Sequence, residues 1–85
     1  MPRFRIAIHI VPRQGLLDPQ GKAVTDALHT LGFAAVHDVH VGRHLVIEAD
    51  AADRAAAEQS ARTMCEKLLA NPITEDFSVA SVSAA

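Results

Sequence analysis

Three histidines and two carboxylates lie close together near the middle of this 85-residue chain. They are His37, His40 and His44, with Asp38 and Glu48 nearby. Imidazole and carboxylate groups are zinc ligands. Alternation along a strand would place His37 and His40 on opposite faces, so a metal site would need His44 to return beside one of them. We therefore expect exposed histidines and no bound metal, with a small metalloprotein as an alternative.

The chain offers few other groups for covalent chemistry. Cys65 is its one thiol, and it falls on the apolar side of a predicted helix, whereas reactive thiols need exposure and electropositive neighbours. The four glycines form neither a dinucleotide-binding fingerprint nor a phosphate-binding loop. We expect no catalytic residue and no cofactor in this chain. The serines lie in no nucleophile motif: Ser60, Ser78, Ser81 and Ser83.

Charge and composition argue against several classes of partner. The formal net charge is −2, the eight Lys and Arg residues are scattered, and there is no Tyr or Trp. Nucleic-acid binding favours clustered basic residues and aromatic stacking platforms, so we expect none. No apolar run approaches the roughly 20 residues that span a bilayer, so we expect no membrane contact and a cytoplasmic location. The length predicts one domain, residues 1–85.

Hydrophobic periodicity predicts the elements that must position these residues. Phe4, Ile6, Ile8 and Ile10 alternate with polar or small residues and indicate a strand, which Pro12 should end. The expected elements in chain order are a strand over 3–10, a helix over 19–31, strands over 36–41 and 44–49, a helix reaching about residue 70, and a strand from Phe77 with a frayed tail over 78–85.

The order β-α-β-β-α-β in a chain of this length predicts an α+β fold. We expect a single two-layer, ferredoxin-like domain with two helices against one face of an antiparallel sheet. Each helix would bury an apolar stripe there: Ala23, Val24, Ala27, Leu28 and Leu31 on the first, and Ala57, Ala61, Met64, Cys65 and Leu68 on the second. Gly42 and Arg43 would form the turn of a hairpin between the two middle strands. Because so small a domain is marginal alone and one face of its sheet is left uncovered, we expect it to associate through the sheet.

The stretch from Leu17 to Val24 predicts a well-defined helix start. Asp18 can accept a bond from an orphan backbone N–H, and Pro19 suits the first helical position. Gly21 would then stand at the third position, where glycine costs about 1 kcal/mol relative to alanine. A bare backbone there would let another chain, another element or a ligand approach closely, or it would simply ease a tight helix start.

Three segments give the sequence a resemblance to a known family. They are Leu17-Asp18-Pro19-Gln20-Gly21, Val39-His40-Val41-Gly42-Arg43, and the run from Met64 to Pro72 with Phe77 beyond it. In order and spacing they resemble the PurS family, the small subunit of phosphoribosylformylglycinamidine synthase in its multi-subunit form. The middle segment is looser, since the family often has arginine at position 40 and lysine at position 43.

The resemblance implies a non-catalytic subunit in an ATP-dependent ligase of de novo purine synthesis. A PurL-type synthetase subunit would use ATP and Mg²⁺ to activate formylglycinamide ribonucleotide, and a PurQ-type glutaminase subunit would supply ammonia. This chain would link the two, assist ammonia transfer and form a homodimer or homotetramer. The alternative is a ferredoxin-like regulatory module that binds a small metabolite. The candidate interface residues are Asp18, Pro19, Gln20, Gly21, Gly42 and Arg43.

Overall fold

One antiparallel sheet and one packed helix form the body of the protein. The structure is a computed structural model that describes residues 1–13, 15 and 18–85. Its elements are β1 (Arg3–Pro12), α1 (Pro19–Thr30), β2 (Arg43–Asp50), α2 (Arg54–Met64), a π-helical turn (Cys65–Leu69) and β3 (Glu75–Ala84). The strand order is β2-β1-β3, and both pairings are antiparallel. The predicted α+β class with an antiparallel sheet is confirmed.

The core lies between β1 and α2. Ile6, Ile8 and Ile10 of β1 are completely buried, whereas His9 points to the opposite, exposed face, as the alternation predicts. Small residues on α2 let the helix approach these isoleucines closely. Burying each isoleucine contributes roughly 1.5–3 kcal/mol. The small residues are Ala57 and Ala61 of α2 and Cys65, the first residue of the π-helical turn that continues it.

The expectation of a frayed C-terminal tail is wrong. β3 continues to Ala84 and pairs with β1 along its whole length. Ala7 pairs with Ser81 and Ile8 with Val79, which leaves Ala80 as an extra, bulged residue. The bulge restores Val82 to the buried face. It also breaks the period-two pattern, which is why the strand could not be followed through this segment of the sequence.

The expectation that both helices cover the sheet is also wrong. α2 packs on β1 and β3, whereas α1 makes no extensive contact with any described strand or helix. The described chain is elongated, with extents of 51 × 25 × 14 Å and a radius of gyration of 16.3 Å. A compact domain of this length would have about 12 Å. α1 therefore projects from the body.

The predicted strand over 36–41 does not form, and neither does the hairpin turn at Gly42 and Arg43. Pro12 ends β1, so the chain preceding Arg43 passes beyond the end of the sheet and has no ladder partner. Among the described glycines only Gly15 and Gly32 have positive φ. Gly32 ends α1 as predicted: its N–H bonds to His29 and the next N–H to Leu28, a Schellman motif.

The second helix widens at its end instead of continuing regularly to residue 70. The Ala70 N–H donates to the Cys65 carbonyl, an i→i+5 bond of 3.0 Å that defines the π-helical turn. Leu68, expected in the buried stripe, is 82% exposed as a result. None of the described helices is long and apolar enough to cross a membrane.

Candidate functional site

α1 and the segment over 32–42 form a projecting unit that we call the arm. Asp18 joins its two halves. One carboxylate oxygen accepts from the Gly21 N–H at 3.0 Å, which caps α1, and the other accepts from the Val41 N–H at 2.9 Å. The side chain of Asp18 is only 10% exposed. The predicted capping role is confirmed, and the bond to Val41 adds a tertiary role that local sequence signals do not reveal.

Asp18 also belongs to a small charged cluster on the arm. The backbone bonds from Gly21 and Val41 hold the pKa of Asp18 below its ordinary value, and nearby His40 lowers it further. His40 bridges two carboxylates: Nδ1 lies 3.6 Å from Asp18 and Nε2 lies 3.1 Å from Asp38. Protonated His40 would attract both carboxylates.

Glycine is needed at position 21 because other atoms of the same chain lie very close to its backbone. A Cβ at this position would collide with the Val39 carbonyl oxygen and lie 2.5 Å from the Asp18 carboxylate. The Thr25 hydroxyl, one turn on, donates to the Gly21 carbonyl at 2.9 Å and is buried. Of the four possibilities for Gly21, the structure shows contact with another element of the same chain. Gln20 is exposed beside it, and Pro19 is the first residue of α1.

Gly42 and Arg43 connect the arm to the body. A Cβ on Gly42 would collide with the Ile10 carbonyl oxygen at the end of β1. Nη2 of Arg43 donates to the Leu69 carbonyl at 3.0 Å and to Glu75 Oε1 at 2.7 Å. This guanidinium ties the start of β2 to the end of the π-helical turn and the start of β3. Its side chain is half exposed, so one side also faces solvent.

The surface carries two apolar areas that face no other part of the described chain. One is the outer side of α1, where Val24 and Leu31 are exposed, Leu31 by 73%. The other is a groove of about 710 Å³ between the end of α2 and β2. Ile47, Met64 and Leu68 contribute its apolar lining. The sequence pattern predicted the stripe on α1 but assigned it to the sheet of the same chain.

The histidines do not converge as the metalloprotein alternative requires. His44 lies on β2 beside His9, apart from His40 on the arm. Among the described residues there is no group of three or more His, Cys, Asp or Glu side chains that could hold a metal ion. Cys65 is fully buried, and its burial raises the pKa of the thiol, as expected for an inert core residue.

These features define an elongated two-layer α+β protein with a projecting helical arm and an unfilled apolar groove. The family model for PurS, described as phosphoribosylformylglycinamidine (FGAM) synthase, matches residues 5–83. The Bacillus subtilis synthase subunit PurS is 35% identical over 74 residues, covering 87% of each chain. The chain belongs to the PurS family.

Solved structures agree over the whole chain. PurS from Thermus thermophilus superposes with a TM-score of 0.87 at 37% identity, covering 99% of each chain. A chain in the structure of PurLQS from Thermotoga maritima gives a TM-score of 0.82 at 27% identity and covers 100% of both chains. Both matches extend over nearly the full length of the chain and therefore support the overall fold.

Proposed function

We propose that this chain is the PurS subunit of phosphoribosylformylglycinamidine synthase and acts in purine biosynthesis. Its task is to link a PurL-type synthetase subunit to a PurQ-type glutaminase subunit in the cytoplasm. The full-length match to a chain of PurLQS is the observation that carries this proposal. Bridging requires surface that is not used by the subunit's own fold, and the elongated shape of the described chain supplies it.

The covalent steps belong, in this proposal, to the two larger subunits. The synthetase binds ATP and Mg²⁺ and activates the formamide oxygen, and the glutaminase releases the ammonia that attacks the activated carbon. The one thiol of this chain is buried in the core, so it is unsuited to act as the nucleophile of a glutaminase. In this proposal, this chain holds the two larger subunits in position and shields ammonia during its transfer.

Reconstitution tests the proposal with two nitrogen sources. The synthetase and glutaminase subunits of the same organism would be assayed for amidine formation with ATP and Mg²⁺, with and without this chain. We expect the glutamine-dependent rate to require it, and the rate with a high concentration of ammonium chloride to depend on it much less. An equal glutamine-dependent rate in its absence would refute the bridging role.

We further propose that the chain forms a homodimer in which the arm of each copy covers the groove of the other. The outer side of α1 and the groove are both apolar, and each lacks a partner within the described chain. The 12-residue helix is about 18 Å long, enough to lie along the end of α2. Exchange of an identical element is a low-cost route to a dimer. The open sheet face is a weaker candidate, since Arg5, His9 and Glu48 are exposed on it.

Sedimentation of three variants tests this association. Leu31→Asp, on the outer side of α1, and Leu68→Asp, in the groove, should each shift the protein toward monomer, because each would bury a carboxylate in an apolar contact. Lys22→Glu is the matched control, since Lys22 lies on the opposite side of α1 and is exposed. A wild-type monomer, or variants that keep the wild-type mass, would exclude the exchange.

A further inference from the structure

We propose that His9 and His44 form a two-histidine chelating site for a divalent late transition cation such as Zn²⁺, Ni²⁺ or Cu²⁺. The two residues are register partners on β1 and β2. Directly opposed residues in a sheet project from the same face, and here that is the exposed face away from α2. The site is separate from the arm and from the groove.

The separation of the two rings matches what a shared metal ion requires. Their centroids are 4.8 Å apart. With a metal–nitrogen bond of about 2.05 Å, and a ring centroid about 1.1 Å beyond the nitrogen, two ligands at 90° place the centroids about 4.5 Å apart, and two at 109° about 5.1 Å apart. The observed separation lies between the values expected for square or octahedral geometry and for tetrahedral geometry.

The tilt and the surroundings of the rings support the same assignment. The ring planes are inclined by 52°, so the rings are not stacked face to face, an arrangement that would hold their in-plane nitrogen lone pairs in parallel planes that never meet. Both side chains are exposed, so water can complete the coordination shell. His29 and His40, by contrast, already direct ring nitrogens at Val36 and at carboxylates within the described chain.

Imidazole nitrogens select the class of metal. Late first-row cations prefer them, whereas Mg²⁺ and Ca²⁺ prefer oxygen ligands. Affinity for a site of this kind should follow the order Cu²⁺ above Ni²⁺ and Zn²⁺. Because the chelate joins two strands that are adjacent only in the folded sheet, metal binding should also stabilise the native state.

Calorimetric titration of the full-length protein with ZnCl₂ and NiCl₂ tests the site. His9→Asn and His44→Asn should each weaken binding at least about tenfold, the lower bound for loss of even an outer-shell partner of a metal. His37→Asn is the matched control, an exposed histidine on the arm, and should bind like the wild type. Zinc should raise the melting temperature of the wild type and of the control but not that of the two pair variants.

A second measurement on the wild type does not depend on how the variants fold. In a proton NMR titration with zinc, the Cε1–H signals of His9 and His44 should shift together, while those of His29 and His37 stay in place. Absence of saturable binding by the wild type would overturn the proposal. Unchanged affinity in both pair variants, or a loss of affinity in His37→Asn alone, would also overturn it.

Discussion

Gly21→Ala is the most direct test of how the arm is held together. In an exposed helix, replacing glycine by alanine stabilises by about 1 kcal/mol. Here the new Cβ would collide with the Val39 carbonyl oxygen and crowd the Asp18 carboxylate. Overpacking costs about 1–3 kcal/mol, and a collision with backbone belongs at the upper end. The expected net effect is a loss of about 2 kcal/mol, opposite in sign to the intrinsic helix propensity.

The loss of stability in Gly21→Ala should be confined to the arm, because α1 makes no extensive contact with the sheet. Amide hydrogen exchange resolves it: the Val41 N–H, bonded to Asp18, should exchange about 30-fold faster, the equivalent of 2 kcal/mol, while the Ile8 N–H in β1 keeps its protection. Ala23→Gly, at an exposed position of the same helix, is the control for propensity alone and should cost about 1 kcal/mol. Slower exchange at Val41 in Gly21→Ala would refute the close approach as the constraint.

Three further predictions concern the capping carboxylate, the guanidinium at the base of the arm and the core thiol. Since the folded-state pKa of Asp18 is lowered, its contribution to the arm is fully present above the ordinary value of 3.8 and is lost as pH falls through the folded pKa. The protection factor of the Val41 N–H, which is the intrinsic exchange rate at each pH divided by the observed rate, should fall over this range, and an unchanged protection factor would contradict this assignment. Arg43→Ala removes bonds to Leu69 and Glu75 at a half-exposed site. Denaturant unfolding should therefore show that the free energy of unfolding falls by about 1 kcal/mol, with Arg43→Lys intermediate. Equal stability of all three proteins would count against the bridging contact. Cys65 should react with a thiol reagent in step with unfolding, and stoichiometric labelling of native protein within the mixing time would show that it is accessible.

The sequence predicted those elements that local rules determine. Strict alternation from Phe4 to Ile10 defined β1 because one face of that strand is buried within the chain. Asp18 and Pro19 marked the start of α1, and Gly32 marked its end, because capping depends only on neighbouring backbone groups. A partner-contact role for the candidate interface residues stays a prediction; within the chain, Gly21, Gly42 and Arg43 make close contacts of their own.

Other features depend on contacts that no short window of sequence contains. The chain over 36–41 has the composition of a strand, yet it lies beyond the point where Pro12 ends the sheet, so it has no ladder partner. Ala80 shifts the alternation of β3 by one residue and made the tail look irregular. The π-helical turn exposes Leu68 although helical spacing places it on the buried stripe.

The outer side of α1 shows what a hydrophobic period does and does not specify. Apolar residues at i, i+3 and i+7 indicate that one side of a helix avoids water. They do not indicate whether the surface that covers it belongs to the same chain. Val24 and Leu31 remain exposed on a projecting arm, and the described chain has a groove of about 710 Å³ beside its own packed helix. For a domain with so few fully buried side chains, covering both surfaces by a second molecule adds the apolar burial that the isolated fold lacks. In the proposed homodimer, dilution that separates the two copies should therefore also lower the melting temperature of the protein.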